Sequence, residues 1–309
     1  MGEYNDYVQV KGTSYRVRDM HRRMKLKSGT LLWLSLLLVI GMAAPAQTAE
    51  LSRAAVDGFD RYAQLTEQQM NDQIRHGHFL WVDMLPAGER DAAYTRLRQG
   101  KTLTQQQEMK DNGQEIKTPD AMLHDWVSII FVPGVNLRQI KAFFQDYNNM
   151  DKYYQPEVVR SKLLSRRGEH FKIYMRMYIK KILTLVLNTT HDVQYWQLDS
   201  KHLISISYAT RIAEVENAGT PKEHELPVGN DRGLLWRTKS YWRGEEKDGG
   251  VYVQCETVTL TRDIPAGVKP LVEPFVNSAP KEFLGNMMAN VRKGATAMAK
   301  ARSARNLSG

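Results

Sequence analysis

The sequence predicts an α+β fold, a curved antiparallel β-sheet wrapped around a long C-terminal helix with a helical extension in front, and two stretches near its end carry the prediction. Leu234, Trp236, Thr238, Ser240 and Trp242 alternate with Leu235, Arg237, Lys239, Tyr241 and Arg243, the period of a half-buried strand. Asp248-Gly249-Gly250 tolerates the positive φ of a tight hairpin, and the β-branched run from Val251 to Thr261 returns. After Pro265 the spacing turns helical, with Phe283, Leu284, Met287, Met288, Val291, Ala295 and Met298 on one stripe. Ser278 is placed to cap this helix, Pro280 is tolerable in its first turn, and the cations between Arg292 and Arg305 suit its carbonyl end. Burying Phe, Leu or Met is worth roughly 1.5–3 kcal/mol per side chain, so the stripe covers a large apolar surface. A curved sheet is that surface.

From the N-terminus, Leu31 to Met42 is an uncharged apolar run preceded by Arg22, Arg23, Lys25 and Lys27 and followed by Ala44-Pro45-Ala46. Basic, apolar and small-residue regions in that order make a secretory leader. The run is short of the roughly 20 apolar residues that a spanning helix needs, so we expect a cleaved leader over residues 1–46, with the mature chain starting at Gln47 or Glu50 and residing in the periplasm or outside the cell. Met24 followed by Lys25-Leu26-Lys27 is a normal start for such a leader, which points to residues 1–23 as an upstream over-extension of the reading frame.

Export changes the charge arithmetic. Residues 1–46 hold seven of the 43 Lys and Arg and three of the 34 Asp and Glu, which leaves 36 basic and 31 acidic residues. So small an excess, without a basic run interleaved with aromatics, excludes a nucleic-acid binder. The single cysteine, Cys255, rules out an internal disulfide and sits mid-strand, where a buried inert thiol is expected.

Residues 47–119 read as an extension. Val56, Phe59, Tyr62, Ala63, Met70 and Ile74 recur at helical spacing, Gly88 to Leu97 is a second helix, and Thr102 to Met109 pairs with Gln114 to Lys117 around Asp111-Asn112-Gly113. His76 and His78 lack a third ligand nearby, so no metal site is read there. The main body, residues 120–305, opens with the strand His124 to Val132, apolar on both faces and therefore buried. Asn136 caps a helix through Leu137, Ile140, Phe143 and Phe144, and a helical turn carries Met150, Tyr153 and Tyr154. Strands follow over Val158 to Ser165, Phe171 to Lys180, Leu183 to Trp196 and Ile204 to Glu214, then a loop from Ala218 to Gly233.

This order, with the wording HDWVSIIFVPG, PEVVRSKLLSR, VLNTTHDVQY, SISYATRIAEVEN and SYWRGEEKDGGVYVQCETVTLTRDIP, resembles the START-like (SRPBCC) superfamily, the helix-grip fold of lipid-transfer and polyketide cyclase-like proteins, in an exported bacterial branch. The resemblance spans about 60% of the chain and implies an apolar cavity between sheet and last helix, holding a hydrophobic or amphipathic molecule such as a lipid. It implies no cofactor and names no ligand. The candidate lining is Trp126, Met175, Met177, Tyr208, Thr210, Trp236 and Trp242 on the sheet, roofed by Phe283, Met287 and Met288. No nucleophile elbow, zinc-protease motif or phosphate loop is present, and no catalytic residue is assigned. The stripe Lys172, Arg176 and Lys180 is read as a wet convex face, with transient membrane-surface contact as its further use. A cyclase or hydrolase in the same cavity, which a buried His124 or Glu256 would favour, and a pocketless envelope interaction module are the alternatives.

Overall fold

The computed structural model describes residues 7–10, 13–16, 49–180, 184–264, 267 and 269–307. The apolar run Leu31 to Met42, expected to be part of a leader, lies outside them. The chain divides into two compact units, residues 1–47 and 48–309. In the first, β1 (Tyr7–Val10) and β2 (Thr13–Arg16) form an antiparallel hairpin.

The second unit begins with β3 (Ala49–Glu50), α1 (Arg53–Arg75), a 3-10 turn at Trp81–Met84 and α2 (Ala87–Arg98). Ser52 starts α1 by accepting from the Ala55 amide at 3.1 Å. Three short strands follow, β4 (Leu103–Gln106), β5 (Lys110–Asp111) and β6 (Gln114–Glu115), and then β7 (Ala121–Pro133). The hairpin expected over residues 102–117 is only partly formed. β5 and β6 close around Asn112 and Gly113, both at positive φ, but β4 leaves to pair with β7, setting Leu103 opposite Ile129. Leu103 gains a buried place there, whereas Gln114-Glu115 offers it nothing to bury against.

α3 (Leu137–Phe144), opened by an Asn136–Gln139 capping box, leads through a 3-10 turn to α4 (Met150–Tyr153). The meander is β8 (Val158–Arg167), β9 (His170–Lys180), β10 (Thr184–Gln197) and β11 (His202–Glu216), followed by the short β12 (His224–Glu225) and β13 (Asn230–Asp231). β14 (Arg237–Lys247) and β15 (Gly250–Arg262) form the expected hairpin, turned by Asp248 and Gly249 at φ of 56° and 73°. α5 (Lys269–Leu307) ends the chain. It starts nine residues before the expected cap at Ser278. Pro270 in its first turn, where an amide has no intrahelical partner to lose, is the earlier start signal.

The strands form one antiparallel sheet of nine in the order β4-β7-β15-β14-β11-β10-β9-β8, with β12 added to β11. Its concave face packs on α3, α4 and α5. Ile130, Val132, Val251, Val253, Cys255, Leu203, Tyr195 and Phe171 share one core with Phe143, Leu284, Met288, Val291 and Ala295. The architecture is helix-grip.

The convex face is not bare. Over β7, β15 and β14 it is roofed by residues 51–119: Phe59, Tyr62 and Met70 pack on Tyr241, Val258 and Leu260, while Leu80, Val82, Tyr94 and Leu97 pack on Ile129, Phe131 and Tyr252. Arg243, whose strand face reads as basic, is 1% exposed. Its guanidinium donates to Gln73 Oε1 at 3.0 Å and to the Phe79 carbonyl at 2.8 Å, and Glu256 lies 3.8 Å away. Lys239 pairs with Glu67 of α1. Beyond β11 this face is wet: Lys172 and Lys180 are exposed as expected, and Arg176 is held by Glu223 at 2.9 Å.

Candidate functional site

The pairing registers set the concave face out in rows. Ile130, Val253, Gly244 and Leu203 form one row, and Ser128, Cys255, Trp242, Ser205 and Tyr195 the next; all but Trp242 are buried under the helices. One step further along the strands the packing changes. Trp126, Thr257, Ser240 and Ser207 stand side by side on β7, β15, β14 and β11, and each is only partly buried. Thr259 and Thr238 continue the partly buried hydroxyls outward. The grip is therefore filled at one end and lined by hydroxyls at the other. That second half is the candidate site.

Its polar atoms are arranged with some economy. Ser240 Oγ and Thr257 Oγ1 share a hydrogen bond of 3.1 Å. Trp126 Nε1 is buried and finds no partner among the described residues. His191, 6% exposed, sets Nε2 at 3.0 Å from Thr189 Oγ1 and Nδ1 at 3.4 Å from Ser207 Oγ. Burial pushes its imidazole down to about 4, so the ring is neutral at pH 7. His124, at 3% exposure, contacts Thr261 Oγ1 at 3.1 Å, and burial lowers it too. Glu256 is buried, but it faces the extension with Arg243. Glu214 lies in register with Leu187; it accepts from the Leu234 amide at 3.0 Å and the Arg232 amide at 3.3 Å, which turns it to the loop.

The expected lining is brought together in part. Trp126, Met175, Trp242, Met287 and Met288 all meet the concave core. Met177 packs beside it with Leu187, Ala209 and Ile212. Phe283 is partly buried on α5. Trp236 is 3% exposed, and its Nε1 donates to Asp231 Oδ1 at 2.9 Å, so its polar edge is committed to the preceding loop. Tyr208 and Thr210 do not join this row. Tyr208 pairs with Lys239 and packs with the α1 cluster on the convex side. Thr210 is exposed, because the pairing shifts between Thr190 and His191 and leaves it as the extra residue of a bulge, its Oγ1 donating to the Thr190 carbonyl. Periodicity finds neither fact, since a one-residue register change exchanges the faces of a strand. It also misses Ser207, Ser240, Thr257 and His191, whose only sequence signal is a polar residue on a strand face that should be apolar.

Two clefts, of about 590 and 640 Å³, open elsewhere. One lies among Asn136, Lys141, Asp199 and Glu246, the other among Phe79, Asp83, Tyr94, His202 and Glu245. Neither includes any of the expected lining residues. Among the described residues there is no cluster of His, Cys, Asp and Glu suited to a metal.

This topology resembles the START-like architecture. No protein-family model matches the chain, and no curated protein matches its sequence. Among solved structures it is similar to human STARD10, at 10% identity and a TM-score of 0.42 over 73% of this chain and 86% of that one. It is also similar to a STAR-related lipid transfer protein from Xanthomonas axonopodis, at 14% identity and a TM-score of 0.39 over 60% of this chain and 98% of that one. A third is the Zhui aromatase/cyclase from a Streptomyces species, at 10% identity and a TM-score of 0.38 over 57% and 94%. The fold itself follows from the strand order and the seating of α5, not from these scores.

Proposed function

We propose that the protein is exported and binds a hydrophobic or amphipathic small molecule on the hydroxyl-lined half of its concave face. One observation carries the binding: Trp126, Thr257, Ser240 and Ser207 stand in one register row facing the helix side, yet stay partly open and end in an indole N–H without a partner. A filled core would bury such a row of hydroxyls rather than leave each of them partly open. Sulfur and aromatic surface from Met175, Met287 and Trp242 borders the row, which suits a greasy body oriented by one or two polar contacts. The buried His124, in register with Thr259 at the outer end of the same face, is the observation that favours acid/base chemistry there, whereas His191, held neutral by burial, is a weak base near neutral pH. Export rests on the basic-apolar-small pattern of residues 22–46.

Native mass spectrometry of the protein recovered from the cell envelope tests both parts. The expected species is a polypeptide beginning at Gln47 or Glu50 that carries an added small-molecule mass. A full-length chain embedded in membrane would end the export reading. A bare polypeptide that also takes up no hydrophobic fluorescent dye would end the binding reading.

A further inference from the structure

The direction of the hydrogen bonds behind the hydroxyl row selects the polar end of the ligand. Thr189 Oγ1 has a single proton and gives it to the Met175 carbonyl at 3.1 Å. Toward His191 Nε2, 3.0 Å away, it can then only accept, so Nε2 carries the imidazole proton. A neutral ring with its proton on Nε2 leaves Nδ1 as a lone pair, and the proton facing it at 3.4 Å comes from Ser207 Oγ. Ser207 is partly open, standing next to Ser240 in the row. With its proton turned inward to His191, its oxygen is left with lone pairs alone for any partner on the helix side.

We propose that Ser207 is a hydrogen-bond acceptor for the ligand, and that the ligand is an uncharged hydrophobic molecule ending in a hydroxyl, an alcohol or a phenol, rather than a carboxylate. This rests on the binding reading above. A hydroxyl donates to Ser207 Oγ and keeps the Thr189–His191–Ser207 chain intact. A carboxylate has no proton to give and meets lone pair with lone pair, on top of the cost of taking its charge out of water. Trp126 Nε1, on the far side of the row, is the donor left for any carbonyl or ether oxygen the molecule carries. The burial that keeps His191 neutral holds this polarity fixed at physiological pH.

The test is competition at neutral pH between 1-dodecanol and dodecanoate, equal in chain length, for the uncharged dye N-phenyl-1-naphthylamine bound to the mature protein. Dodecanol is expected to displace the dye at a concentration about tenfold lower than dodecanoate, the scale of one hydrogen bond. Ser207→Ala should weaken dodecanol by about fivefold to tenfold and, by removing the facing lone pairs, leave dodecanoate no weaker, so that the preference shrinks to what charge desolvation alone supplies. Ser207→Thr, which keeps the oxygen, should retain it. If Ser207→Ala folds poorly, Ser207→Cys, a weak acceptor of similar size, carries the same expectation. Equal displacement by the two amphiphiles in the wild type, or a preference that Ser207→Ala does not reduce, overturns the proposal and leaves binding intact. Failure of the dye and of both amphiphiles to bind overturns the binding reading and the proposal with it.

Discussion

Single residues here are governed by what covers them. Burial pushes the Cys255 thiol up to about 12, which makes it the buried, inert core group expected from its mid-strand place. His191 has a consequence for stability. Its folded value of about 4 lies below the ordinary 6.5, so between those two values the unfolded chain binds the proton that the folded chain refuses. The stabilisation from keeping the ring neutral is therefore present above the unfolded value and is lost as pH falls through this window, a loss of roughly 3 kcal/mol at its lower end. Asp125, raised mainly by burial and then by Glu256, works with the opposite sign. For that reason the informative quantity is the difference between wild type and His191→Gln in urea unfolding as a function of pH. That difference should move in the variant's favour on acidification from pH 6.5 to 4. Parallel curves would mean that His191 is solvated in the folded state.

At the scale of elements, α5 holds two glycines with opposite roles. A Cβ on Gly294 would lie 2.6 Å from Phe143 Cε2 and 3.4 Å from Tyr153 Cδ1, so the missing side chain is what lets α5 lie close against α3 and α4. A Cβ on Gly285 would meet nothing within 4 Å. Helix propensity favours alanine at both positions by about 1 kcal/mol. Gly285→Ala should therefore stabilise by about that amount, whereas Gly294→Ala should destabilise by roughly 1–3 kcal/mol through overpacking. Urea denaturation of the two variants side by side decides it. Should both shift stability in the same direction, α5 does not seat on Phe143 as described.

For the whole molecule, the extension and the sheet are one folding unit. Residues 51–119 cover Tyr241, Tyr252, Val258 and Leu260, and α1 with the segment after it supplies Arg243 with two acceptors, Gln73 Oε1 and the Phe79 carbonyl, beside Glu256 of the sheet. Removing the extension would leave that apolar face in water and the guanidinium short of partners. A fragment of residues 120–309 is accordingly expected to aggregate or to lose cooperative unfolding, and Arg243→Ala in the full unit to cost roughly 3–5 kcal/mol, the range for breaking a buried charge pair. Circular dichroism melts of fragment, variant and parent measure this. A fragment that melts cooperatively at the parental temperature would make the extension a dispensable appendage.

Local periodicity carries much of this fold. The Asn136 capping box, the Asp248-Gly249 turn, the alternation in β9 and β14 and the stripe from Leu284 to Met298 are each written within a few neighbouring residues, so the amino-acid sequence alone determined a strand meander closed by a long apolar helix. Alternation gives every strand two faces but says nothing of what lies over either one. Whether Tyr241 and Arg243 meet water or α1, whether Tyr208 looks toward α5 or away, and how the bulge at Thr210 sets Ala209 and Ile212 on one side depend on register between strands far apart in the chain. The pairing of Ser207 with His191 and Thr189 arises in the same way, across β10 and β11. Hydrogen-bond direction at that point is fixed by three side chains and one carbonyl that only the folded sheet brings within reach, and tertiary structure alone decided it.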